Sequence, residues 1–162
     1  MVPVLINCTG RWLDRFSDVL GRWESTLNDV QVSYLLGDFS RINELCPIGE
    51  NIHDEIKACK DERQRLLDDA AALGYTSKSL RELAQQLDTQ WPSLWTHRLA
   101  SLELQLSRIQ QLSMSLWVSA FQSKSFVSEL LLILSTGKAD SATYAPSESH
   151  SLEGGFLINE AA

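Results

Sequence analysis

The groups of this 162-residue chain that could do chemistry are three histidines, three cysteines and the carboxylates among 21 Asp and Glu. Their spacing decides what they can do. His53, His97 and His150 are scattered, and no cysteine joins them at metal-ligand spacing. His53 followed by Lys57 is the nearest approach to a phosphotransfer histidine on a helix. In His53-Asp54-Glu55-Ile56-Lys57, however, two acids follow the histidine and would repel an incoming phosphoryl group. The chain has no Gly-rich phosphate loop, no HExxH and no GxSxG. The stripes that will face one another between helices are apolar, so a carboxylate-held metal pair in a bundle interior is not expected either. The reading is a protein without catalytic residues, cofactor or metal.

Composition narrows the rest. Fourteen Lys and Arg against the 21 acids give a net charge of −7. That argues against nucleic-acid binding, which needs a basic surface, and against docking on an anionic membrane. The start, Met1-Val2-Pro3-Val4-Leu5-Ile6-Asn7-Cys8, lacks the basic and long apolar regions of a signal peptide. The longest aliphatic run, Leu130 to Leu134, is far too short for a bilayer span, so no membrane insertion is expected. Cys8, Cys46 and Cys59 form neither a disulfide framework nor a CxxC knuckle. A cytoplasmic, reduced location follows as the expectation.

Leucine outnumbers valine and isoleucine together, and no segment alternates with period two. Both facts point to an all-α fold. A first helix is expected from about Thr9 to Leu36, with Leu13, Phe16, Leu20, Trp23, Leu27, Val30 and Tyr34 at alternating spacings of three and four. A second carries Ile42, Leu45, Gly49, Ile52, Ile56, Cys59, Arg63, Leu66, Ala70 and Leu73 in the same rhythm. That register runs across Pro47, which favours one kinked helix over two. Asp38 or Ser40 can cap it, and its charged residues, with Arg11, Arg15 and Arg22 of the first helix, read as solvated faces. Ser79 and Glu82 form a capping-box pattern before a short crossover helix. The last helix starts near Pro92 and reaches about Leu134. Gly37, Gly74 and Gly137 each follow an apolar periodic stretch, where a left-handed residue is wanted. The expected architecture is an elongated antiparallel helical bundle over 1–137, three long helices plus the crossover helix. A flexible polar tail over 138–162 should follow.

The informative feature is the last helix. One seam runs Trp95, Leu99, Leu102, Leu106, Ile109, Ser113, Leu116, Ala120, Ser123, Val127, Leu130 and Leu134. A helical wheel places Met114, Val118, Phe121 and Leu132 on the other side, with Trp117 between. A single buried stripe does not account for apolar residues on both sides. Either two neighbours bury the two stripes, or the second is a partner-binding surface.

Lys60-Asp61-Glu62-Arg63-Gln64-Arg65-Leu66-Leu67, Leu73-Gly74-Tyr75 and Ser79-Leu80-Arg81-Glu82-Leu83 together resemble the FlgN-like flagellar export chaperones. Leu35-Leu36-Gly37-Asp38 at the end of the first helix and Thr143-Tyr144 in the tail are similar to family elements too, so the resemblance covers most of the chain. It implies a cytoplasmic chaperone of flagellar type III export. Such a protein binds hook–filament junction proteins, covers an amphipathic client helix, and presents it to the export apparatus. The binding residues then expected are Met114, Trp117, Val118, Phe121 and Leu132 on the last helix, with Tyr144, Phe156, Leu157 and Ile158 on the tail. The alternative is a structural coiled-coil protein that self-associates, as a homodimer for example, through the same surface.

Overall fold

A computed structural model describes residues 2–136, and among them every regular element is helical. The order is α1 (Val2–Leu36), α2 (Phe39–Ala72), α3 (Leu80–Leu87), a single 3-10 turn (Asp88–Gln90) and α4 (Ser93–Thr136). The all-α expectation holds. Gly137 and the 138–162 tail lie outside the described residues. The chain divides into two compact units, Met1–Leu112 and Ser113–Ala162, with the boundary inside α4.

In the first unit, the turns that close the helices come from local chemistry. Gly37 adopts φ +69° and Gly74 φ +92°, conformations that a Cβ would strain. The chain then bonds back in the same way at both sites, Asp38 N–H to Ser33 O at 2.8 Å and Tyr75 N–H to Ala70 O at 3.0 Å. Of the two candidate caps for α2, Asp38 serves, accepting the Arg41 N–H at 3.0 Å. Ser79 caps α3 by accepting the Glu82 N–H at 3.2 Å, and Glu82 reaches back one residue beyond the cap to accept the Lys78 N–H at 2.8 Å, a variant of the capping box. Pro47 lies within α2 on an exposed side, and α2 continues as one helix through it, with Leu45 and Ile52 buried on either side.

Packing begins with α1. Leu13, Leu20 and Leu27 of the expected seam are buried, with Phe16, Trp23, Val30 and Tyr34 half-buried. A second column, also of heptad spacing, is buried beside it: Leu5, Trp12, Val19, Thr26 and Ser33. The sequence pattern does not reveal that column, because two members are polar. Thr26 satisfies its hydroxyl by donating to the carbonyl of Arg22 at 2.9 Å, one turn back on its own helix. Two columns mean that α1 is covered along two flanks. On α2, Leu45, Ile52, Cys59 and Leu66 are buried at one-heptad intervals. Val19, Ile52 and Cys59 form a joint cluster with Phe16, Trp23 and Ile56 against it. Trp12 donates its indole N–H to the Cys59 carbonyl at 2.7 Å.

Charged residues sort to the two flanks. Arg15 and Arg22, one heptad apart, meet Glu62 and Glu55 of α2, also one heptad apart. Arg22 donates from both terminal guanidinium nitrogens to the two Glu55 carboxylate oxygens. On the other flank Asp14 meets Arg98, and Glu24 meets Arg108 and Gln105. The expectation of solvated faces for Arg15, Arg22, Glu55 and Glu62 holds for their exposure and is incomplete on their partners. They remain water-accessible, but they pair across helices because the neighbouring heptad columns hold them at the edge of the core.

The start of α1 is also corrected, from Thr9 to Val2. Pro3 is tolerated in a first turn, where its missing N–H has no partner to lose. Gly10 interrupts nothing. It makes room for Trp95: a Cβ at Gly10 would sit 2.8 Å from the Trp95 ring. Gly21, in contrast, has open space around its would-be Cβ.

Two predictions follow from these contacts. Gly21→Ala should stabilise the protein by about 0.5–1 kcal/mol through helix propensity, whereas Gly10→Ala should destabilise it by about 1–3 kcal/mol through overpacking against Trp95. Urea denaturation read by circular dichroism separates the two signs. Second, the hydrogen bonds from Arg22 hold the Glu55 carboxyl below its ordinary value of 4.5. Its stabilising contribution is present above that value and disappears as the pH falls through the lower folded-state value. Glu55→Gln should therefore flatten the acid limb of the stability–pH curve, and the difference from the parent should shrink in high salt.

Candidate functional site

No group of three metal-capable side chains occurs among the described residues. Glu50 and His53 have Glu-x-x-His spacing on α2 and stand without further ligands. Cys59 is enclosed, and burial pushes its thiol up, toward the protonated form. His53 is half-buried, and Lys57, the lysine that follows it one turn on, pairs with Asp54 at 3.6 Å. The remaining candidate is apolar surface.

That surface belongs to the second unit, where the described residues are the end of α4, Ser113 to Thr136. The local sequence is rich in Leu and Ser and free of Gly and Pro, so nothing in it breaks the helix. Met114, Trp117, Val118, Phe121, Phe126, Val127, Leu130, Leu131, Leu132 and Leu134 are all exposed, from 39% at Val118 to 80% at Leu134. Large side chains of this kind carry ~150–250 Å² each, so these ten together present on the order of 1,000 Å². They fall on two sides of the helix, so each side presents a patch of the ~300–600 Å² that is the largest on a typical soluble monomer. Lys124 and Glu129 are the only charged residues of the segment. Trp117 and Phe121, one turn apart, stack with ring centroids 5.6 Å apart and planes at 16°. They form a flat aromatic step on the helix surface.

No protein-family model, curated protein or solved structure matches this chain. The site is therefore read from its own residues. Met114, Trp117, Val118, Phe121 and Leu132 share one helix and are all open to solvent. Tyr144, Phe156, Leu157 and Ile158 lie outside the described residues.

The seam is corrected. Leu102 and Ile109 are buried and Leu116 is half-buried, but Ala120, Ser123, Val127, Leu130 and Leu134 are exposed. The heptad spacing is present over the whole of α4, yet spacing reports only what a helix can bury, not where the chain supplies a neighbour. The end of α4 consequently offers two apolar stripes.

A further exposed group was missed in the sequence. Val32, Leu35, Leu36 and Phe39 bracket the Gly37 turn in the first unit, and all are more than half exposed. The adjacent Leu35-Leu36 pair was a usable signal, since two consecutive helix positions do not share one narrow stripe.

If Val118 and Phe121 are surface in solution, Val118→Asp with Phe121→Asp should keep the far-ultraviolet spectrum and lose no more than about 1–2 kcal/mol, chiefly from the low helix propensity of Asp. A loss beyond about 4 kcal/mol would place both side chains in a core.

Proposed function

We propose that this protein is a cytoplasmic chaperone of flagellar type III export, of the FlgN-like kind. The scaffold is an antiparallel bundle of three long helices with α3 as the crossover. The end of α4 holds an amphipathic helix of a hook–filament junction protein against Met114, Trp117, Val118, Phe121 and Leu132. Tyr144, Phe156, Leu157 and Ile158 of the tail complete the site. The complex keeps the client soluble until it is handed to the export apparatus.

One observation carries this reading: ten large apolar side chains stand exposed on a helical segment that has only two charges. Enclosing them gives a binding free energy without catalysis. Burial is worth roughly 25 cal/mol per Å² before the costs of association. A Met and aromatic surface also adapts to client helices of differing shape. The sequence resemblance supplies the class of client. The absence of any described helix long and apolar enough to cross a membrane is compatible with a soluble carrier.

Titration calorimetry with a C-terminal fragment of a junction protein is the direct test. The parent chain should bind it, and Val118→Asp/Phe121→Asp should weaken binding at least tenfold, about 1.4 kcal/mol or more. Equal affinity for parent and variant would remove the stripe as the client site.

A further inference from the structure

Val118 on the stripe and Val127 on the seam are half a turn out of phase at 100° per residue, so the two surfaces point nearly opposite ways. One bound helix covers one side of another. A client on the stripe therefore leaves Leu116, Ala120, Val127, Leu130 and Leu134 uncovered among the described residues. We propose that this seam is a homodimer interface, packed against the same seam of a second copy of the chain. The assignment uses the other side of the helix from the client site, with Trp117 on the border between them, and stands without it.

Several observations select a second copy as the occupant. The seam keeps the alternation of three and four that marks a helix-on-helix contact, so its complement is a long helix with the same repeat. Such seams choose a foreign partner through charges on their borders. Here the borders carry Trp117, Ser119, Phe126, Leu131 and Ile133, with Lys124 the lone charge, so nothing encodes a partner of opposite sign. The sizes are self-complementary. In an antiparallel pairing, Ala120 meets Leu130 of the second copy, Ser123 meets Val127, and Leu116 meets Leu134, so that the two small residues each face a larger one. The contact from Leu116 to Leu134 runs about 27 Å at 1.5 Å per residue. With Phe126 and Leu131 on its borders, it encloses several hundred Å² from each copy, approaching the ~800 Å² per partner of a stable complex.

Charge sets the salt response. Each copy carries −7, so two copies repel at long range and added salt relieves the repulsion. Self-association should tighten as salt rises, the reverse of a contact between opposite charges.

Sedimentation equilibrium of the full chain, from about 1 to 100 μM and at low and high salt, is the test. The expected result is a monomer–dimer equilibrium that tightens with salt. Val127→Asp/Leu130→Asp should weaken it at least tenfold, and Val118→Asp/Phe121→Asp should leave it unchanged. Because aspartates disfavour a helix, Val127→Ala/Leu130→Ala serves as the second variant: alanine favours the helix, so weaker dimerisation there reports lost contacts alone. A monomer throughout the range overturns the proposal, as does a dimer indifferent to both seam variants. A chain that dimerises only after removal of residues 137–162 assigns the seam to its own tail and also overturns it. Loss of junction-fragment binding in the seam variants, with no dimer in the parent, assigns the seam to the client and has the same consequence. Failure of the client reading alone leaves the dimer and its variants as expected.

Discussion

The hydrogen bond from the Trp12 indole to the Cys59 carbonyl fixes how the first two helices meet. It is a buried bond between a side chain and the middle of a helix whose own ladder is already complete. Its net worth is about 0.5–1.5 kcal/mol, but leaving the indole unpaired in that position would cost about 1–3 kcal/mol. That asymmetry makes it a register lock. A slip of α1 along α2 strands the N–H, separates Arg15 from Glu62 and Arg22 from Glu55, and pulls Val19 off Ile52. On the far flank Gly10 admits the Trp95 ring, and Asp14 and Glu24 find Arg98 and Arg108. The central helix is thus aligned on one side by a hydrogen bond and two charge pairs and on the other by one close approach and two charge pairs.

Much of this was legible in the sequence. Heptad spacing located the α2 core from Leu45 to Ala70, and Gly37, Gly74, Asp38 and Ser79 marked where helices stop and start. What the pattern concealed was the second buried column of α1. Hydrophobic periodicity weighs residue type, and Thr26 and Ser33 count as polar although a threonine can return its hydroxyl to its own helix and enter a core. Gly10 was unreadable for a similar reason. Its purpose is the space it leaves for a side chain eighty-five positions away in the sequence. Cross-helix pairing of Arg22 with Glu55 likewise depends on which helices are neighbours, a matter that composition does not touch.

The candidate surface shows the opposite limit. Its residues were identifiable as an apolar excess on α4, yet the sequence did not distinguish between stripes that bury one another and stripes left open. The exposed seam beyond Leu116 is the instructive part. A periodic signal strong enough to define a coiled-coil register persists where the described chain leaves it uncovered. Such a stretch costs solubility, and a function that needs an accessible apolar helix is the natural reason to retain it.

The bundle is not uniformly fastened. Trp12, Phe16, Trp91 and Trp95 concentrate ring contacts around the start of α1, with Trp91 edge-on to Trp95. Toward the Gly37 turn the buried column thins to Thr26 and Ser33, and Leu35, Leu36 and Phe39 face water. Amide protons near that turn are consequently guarded by small local openings, and those beside Trp12 only by the rupture of whole helices. Exchange with deuterium would sweep along the hairpin from its tip toward the aromatic end, giving the molecule a graded rather than a single-step loosening.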